Sequence, residues 1–160
     1  MIKRANLLKP IKGSHRLRKG RYDAPGLYYV LTAVTAGRNP WLENSAAARA
    51  VLAGMQWLDE NGRIELQSGM VMPDHFHMVA GRKEMPLSAV IHSLKSYSAK
   101  RINAAFGRSG VVWQRGYHDH AIRKDEDLNE IIWYCLNNPV RAGLVADFYD
   151  YPYWYCRYAV

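Results

Sequence analysis

Cysteine is scarce: Cys135 and Cys156 are the only two in 160 residues. Two thiols make neither a disulfide scaffold nor a four-thiolate zinc site, and a reducing cytoplasm is the expected compartment. Long apolar runs are missing too. None reaches the roughly 18 to 20 residues that a membrane span needs, so no membrane partner is expected. The basic N-terminus has no apolar core behind it, so a secretory signal is not expected. Internal repeats and interdomain linkers are also lacking in the sequence, which fits one domain with its own core.

Acidic residues are missing from the first 21 positions, which carry Lys3, Arg4, Lys9, Lys12, Arg16, Arg18, Lys19 and Arg21. The chain holds 22 Lys and Arg against 14 Asp and Glu, a formal charge of +8, so this arm carries the whole excess. Such an arm is an electrostatic footprint for a nucleic-acid backbone, with Lys3, Arg4, Arg16, Arg18, Lys19 and Arg21 as candidate contacts. The plainer alternative is a solvated tail that keeps the chain soluble. Residues 1–21 thus read as an arm and 22–160 as a single catalytic domain.

The chain as a whole is 49% apolar and 22% charged, a soluble globular composition rich in tyrosine and tryptophan. Hydrophobic alternation predicts strands over 27–35, 64–72, 75–80 and 118–123. Helical spacing predicts helices over 43–58, from 85 or 86 to about 106, and over 125–136. The first six elements follow the split βαββαβ order. The expected fold is therefore α+β: a ferredoxin-like antiparallel sheet with helices on one face, followed by a C-terminal helix bearing Tyr134. Residues 147–158 form an aromatic-rich tail expected to pack back on the domain.

The most informative segment is Val71-Met72-Pro73-Asp74-His75-Phe76-His77-Met78-Val79. Alternate residues of a strand share a face, so His75 and His77 converge while Phe76 turns to the core. Two imidazoles suit a divalent metal and leave coordination positions for a phosphate oxygen and water. Tyr134 and Asn138 lie four apart at the end of the last helix, a nucleophile beside an oxygen ligand. A tyrosine hydroxyl is a weak nucleophile unless a metal or base assists. Attack on a phosphodiester would hold a DNA end covalently. Tyr97 competes with Tyr134, and periodicity does not choose between them. Lys95, Lys100 and Arg101 form a basic stripe on the second long helix. Arg115, His118, His120 and Arg123 surround the fourth strand. Each of these is a candidate phosphate contact or an ordinary surface residue. Trp41, Trp57 and Trp113 read as core.

Three blocks carry a family likeness: Met72-Pro73-Asp74-His75-Phe76-His77, the run from Trp113 to Arg123, and Tyr134-Cys135-Leu136-Asn137-Asn138-Pro139-Val140-Arg141-Ala142-Gly143-Leu144-Val145. The chain resembles the single-tyrosine transposases of the histidine-hydrophobic-histidine superfamily. Within them it is similar to the branch associated with repetitive extragenic palindromes (REP). The likeness runs from about Tyr28 to Tyr155. It implies His75, His77 and Asn138 as ligands of magnesium or manganese, and Tyr134 as nucleophile. It implies cleavage of single-stranded hairpin DNA with a short flanking guide, a 5′-phosphotyrosine link and a free 3′-hydroxyl. A cytoplasmic, nucleoid-associated monomer or homodimer is expected. Rival readings are a hairpin-binding protein without catalysis and a metal-dependent nuclease that uses water. Some members continue past the last block into longer C-terminal segments.

Overall fold

Tyr28-Tyr29-Val30-Leu31-Thr32-Ala33-Val34 is a run of β-branched, aromatic and apolar residues. It forms β1 (Tyr28–Val34), whose last six residues are all buried. A computed structural model describes residues 23–160 of the chain. The basic arm, with Lys3, Arg4, Arg16, Arg18, Lys19 and Arg21, lies outside the described residues.

The order continues with α1 (Ser45–Glu60), β2 (Ile64–Met72), β3 (His75–Arg82), α2 (Leu87–Ala105), β4 (His118–Ala121), α3 (Leu128–Leu136), α4 (Asn138–Arg141) and β5 (Trp154–Cys156). The strands form one antiparallel sheet in the order β4-β1-β3-β2-β5. This is a mixed α+β fold with an antiparallel sheet flanked by helices.

The helix ends follow local chemistry. Asn44 caps α1 by accepting the Ala47 N–H at 3.1 Å, so α1 starts at Ser45 and not at Glu43. Residues Trp41–Glu43 form a separate 3₁₀ turn instead. Gly62, at φ 67°, turns the chain out of α1 into β2. α2 buries Leu87, Val90, Ile91, Leu94, Ser98 and Ile102, the stripe that a 3.6-residue period predicts. Gly54 lets α1 and α2 approach closely, because a Cβ there would sit 2.6 Å from Leu94 Cδ1.

The sheet separates two cores. Leu31, Ala33, Val71, Phe76 and Met78 face α1 and α2. Val30, Met70, Met72 and Val79 face the other way, beneath Ile132, Cys135 and Leu136 of α3. A bulge between Leu66 and Ser68 makes this possible, since it reverses the facing of β2 halfway along. α3 therefore covers the face opposite to α1 and α2.

Three readings of the sequence change. α3 begins at Leu128 and not Asp125, because Asp127 caps it by accepting the Asn129 N–H at 2.8 Å. Asn138 is not on the tyrosine helix: α3 stops at Leu136, and Asn138 opens the separate α4 with Pro139 in its first turn. Trp57 is not core, being 51% exposed. The aromatic tail does pack back. Trp154–Cys156 adds β5 to the edge of β2, and Arg157 fastens it through Nη2, which donates to both carboxylate oxygens of Asp59 at 2.6 and 2.8 Å.

Candidate active site

β3 starts at His75, and strand alternation sends His75 and His77 to the α3 side while Phe76 enters the opposite core. Register then assembles a row across that face. His77 pairs with Thr32 on one side and Met70 on the other; Thr32 pairs with His118, and Met70 with Trp154.

The two imidazoles stand edge to face with centroids 4.9 Å apart. Each is tied back through Nδ1. Asp74 Oδ1 accepts from His75 Nδ1–H at 2.7 Å, and Asp74 Oδ2 accepts from Arg38 Nη1 at 3.2 Å. Thr32 Oγ1 lies 2.7 Å from His77 Nδ1 in a buried contact. When Nδ1–H donates to that hydroxyl, Nε2 keeps its lone pair. Partners of this kind fix the tautomer and orientation of a metal-ligating histidine. His75 Nε2 and Asn138 Nδ2 are buried without hydrogen-bond partners among the described residues. Rotation of the carboxamide by half a turn would present its oxygen at the same place.

Burial, more than any neighbour, sets the charge state of the pair. It pushes the His77 pKa down to about 3, aided by the charges of His75, Arg141 and His118. Burial also lowers the His75 pKa, although the Asp74 carboxylate opposes it. Burial alone would raise the Asp74 pKa, but hydrogen bonds from His75 and Arg38 outweigh it and hold the carboxyl below its ordinary range. Both histidines are thus neutral near pH 7, the form that binds a metal.

Arg38 reaches Asp74 from an unusual backbone. It is the one non-glycine residue with positive φ among the described residues, at 52°, and it follows Gly37 at 63°. That conformation costs about 1–2 kcal/mol for a residue with a side chain.

The pair fits a divalent metal as an open site. Among the described residues, no three His, Cys, Asp or Glu side chains form a metal-holding group. The candidate donors are instead the two imidazole nitrogens and the Asn138 carboxamide; α4, which Asn138 opens, packs on β2, the neighbour of the histidine strand. This mixed N/O set suits first-row ions, and its incompleteness leaves room for substrate.

Tyr134 sits half-buried on α3. The Arg141 guanidinium lies over its ring, 3.7 Å from Cζ to centroid, and Arg141 Nη1 donates to the Tyr134 carbonyl at 2.5 Å. Tyr97 is on α2, which packs on the opposite side of the sheet. With Gly54, Trp57 and Leu94 it lines a cavity of about 450 Å³ between α1 and α2, far from the histidine face.

The basic candidates divide. Lys95 is half-buried and donates to the carbonyls of Gln114, at 2.8 Å, and Gly116, holding the loop before β4. Lys100 and Arg101 are exposed on α2, with Arg101 over the Tyr97 ring at 5.1 Å. Arg115 and Arg123 are exposed at the two ends of β4. His120 meets the Glu126 carboxylate at 3.0 Å. Thr32, Arg38 and Arg141 were given no role by sequence reasoning, nor was the Asp74 carboxylate. Adjacency to His75 was a signal for Asp74; the others depend on register and loop path.

A family model described as "Transposase IS200 like" matches residues 23–138. The chain belongs to the IS200-like transposase family. A Haemophilus influenzae protein assigned as a REP-associated tyrosine transposase is 30% identical to this chain over 94 residues, 52% of this chain and 53% of the relative. The chain therefore spans about half the length of the curated relative it matches. Among solved structures, a REP-associated tyrosine transposase bound to a REP hairpin superposes with a TM-score of 0.66 at 23% identity, over 84% of this chain and 79% of that one. A Deinococcus radiodurans protein assigned as a transposase gives 0.52 at 24% identity, over 75% and 96%. At these identities the structural likeness carries the fold. No helix among the described residues is long and apolar enough to cross a membrane.

Proposed function

We propose that this IS200-like transposase is a metal-dependent endonuclease and strand transferase. Its substrate is single-stranded DNA folded as palindromic, REP-like hairpins with a short flanking guide. The observation that carries the reading is the histidine pair: two neutral imidazoles on one strand face, each tied back through Nδ1 with Nε2 available. The strand order β4-β1-β3-β2 and the alternation of strands and helices support the ferredoxin-like split βαββαβ plan as its scaffold.

In this reading His75, His77 and Asn138 hold magnesium or manganese, which supplies Lewis-acid polarisation of the scissile phosphate. Asp74 and Thr32 keep both imidazoles oriented. Tyr134 Oη attacks phosphorus; the Oη–P bond forms as the P–O3′ bond breaks. The phenolic proton passes to solvent and the departing 3′ oxygen takes one from water. The product is a 5′-phosphotyrosine with a free 3′-hydroxyl, which can reverse the step and rejoin strands without external energy. Support for Tyr134 over Tyr97 comes from the sheet, since α3 covers the histidine face and α2 the other. Lys100, Arg101, Arg115 and Arg123 are proposed phosphate contacts, as is the arm of residues 1–21. Lys95 acts in this scheme through the loop it holds. The protein works in the cytoplasm at the nucleoid, as a monomer or homodimer.

The test is a denaturing gel of protein, Mn²⁺ or Mg²⁺ and single-stranded hairpin DNA taken from beside the gene. The expected result is a covalent protein–DNA band that Tyr134→Phe abolishes and Tyr97→Phe keeps. Cleavage persisting in both variants without an adduct would replace this reading with a water-using nuclease. DNA bound but uncut throughout would replace it with a hairpin-binding protein.

A further inference from the structure

We propose that Arg141 is a catalytic residue: its guanidinium grips a non-bridging oxygen of the phosphate that Tyr134 attacks. The inference rests on Tyr134 as nucleophile. Its basis is where an uncompensated cation sits against Tyr134 among the described residues. The Arg141 guanidinium covers the Tyr134 ring at 3.7 Å and spends one N–H on the Tyr134 carbonyl. A guanidinium carries five donors in a planar fork, so most of them remain for an outside acceptor. The residue is exposed, and it has no carboxylate partner among the described residues. Arg38, the other arginine beside the pair, is paired with Asp74.

Tyr134 and Arg141 lie on α3 and α4, the two helices packed on the histidine side of the sheet. A fixed cation therefore stands against the tyrosine on that face. Charge builds on the non-bridging oxygens as the phenolic oxygen adds to phosphorus, and the fork of an arginine matches two such oxygens. The stack also presets the place: a phosphate drawn to Arg141 arrives beside the Tyr134 ring. A cation that merely held the end of α4 would need neither the ring contact nor a free fork.

The experiment compares two hairpin oligonucleotides with the full chain. One carries an ordinary phosphodiester at the cleavage position mapped with wild type. The other carries a methylphosphonate there, which replaces a charged non-bridging oxygen with a neutral methyl. Wild type, Arg141→Ala and Arg141→Lys are compared by rate of covalent adduct formation, with thermal unfolding confirming that each variant is folded. Arg141→Ala should be slower by about 100-fold on the phosphodiester, the scale of losing a charge-stabilising donor. On the methylphosphonate the gap to wild type should narrow, because the phosphate's own negative charge, and with it one of the two oxygens the fork would grip, is already gone. Arg141→Lys should recover part of the phosphodiester rate. An equal loss on both substrates would overturn the proposal and leave Arg141 as a support for the Tyr134 ring. An unchanged phosphodiester rate in Arg141→Ala would overturn it outright. Wild type forming no adduct on either substrate is a separate result, which removes the Tyr134 reading itself and this proposal with it.

Discussion

Thr32→Val is the sharpest probe of how the histidine pair is held. Valine keeps the shape and the β-branch but deletes the hydroxyl, which meets His77 Nδ1 at 2.7 Å inside the protein. His77 is 7% exposed, so water does not readily replace the lost partner. An unsatisfied buried polar group costs about 1–3 kcal/mol. For a domain of this size that lowers the melting temperature by about 2–12 °C, at roughly 2–4 °C per kcal/mol. The second consequence is chemical. Nothing then favours the tautomer with a bare Nε2, and loss of such an outer partner weakens metal binding by about 10–100-fold. Circular dichroism melts in chelator read the first effect, and calorimetric titration with Mn²⁺ reads the second. Thr32→Ser keeps the oxygen and should retain most of both. The reasoning is refuted if Thr32→Val melts with wild type and binds Mn²⁺ equally well. It is also refuted if Thr32→Ser fails as badly as valine, which would make the methyl group the important part.

Two other expectations concern stability. His77 stays neutral in the fold down to about 3, whereas its ordinary value is 6.5. Between those values the unfolded chain binds a proton that the folded chain refuses, so stability rises with pH through this window and is lost as the solution is acidified. Denaturant unfolding at a series of pH values should show that decline below about 6.5, and His77→Gln should flatten it. Arg157→Ala removes the ion pair from Nη2 to Asp59 and the bond from Nε to the Leu66 carbonyl at 2.7 Å. With Arg157 about a third exposed, a loss of about 1–2 kcal/mol is expected. Hydrogen exchange should show the Trp154–Cys156 amides opening first; unchanged protection there would separate Arg157 from the tail.

The parity of His75, Phe76 and His77 was legible because a strand has a fixed two-residue period, and the structure keeps it. Four of the five sheet strands and the two long helices were legible for the same reason, through alternation and the 3.6-residue stripe. The break between Leu136 and Asn138 was less so. Tyr134 and Asn138 are spaced as on one helix, and only the local geometry at Asn137, with φ −81° and ψ 7°, ends the first helix before Asn138 starts the next. Thr32 could not be assigned, because its meeting with His77 depends on how β1 aligns with β3 across 45 residues of chain. Lys95 looked like part of a basic stripe, since charge is visible in a sequence and the carbonyls that capture it are not. β5 is three residues long, too short for any periodic signal, and exists as a strand through its pairing with β2.

That short strand affects how copies of the protein meet one another. β2 and β3, at nine and eight residues, are the longest strands of the sheet, and each has neighbours on both sides. Among the described residues the rims are β4 and β5, with four and three residues. A sheet polymerises through its rims, where unpaired amides and carbonyls template another strand, and brief rims are a common natural guard against this. A chain this rich in tyrosine, tryptophan and valine would be exposed to such stacking if β2 formed the boundary. With β5 in place, strand-to-strand joining between copies has only three or four residues of backbone to use at either edge, too little to propagate a ribbon.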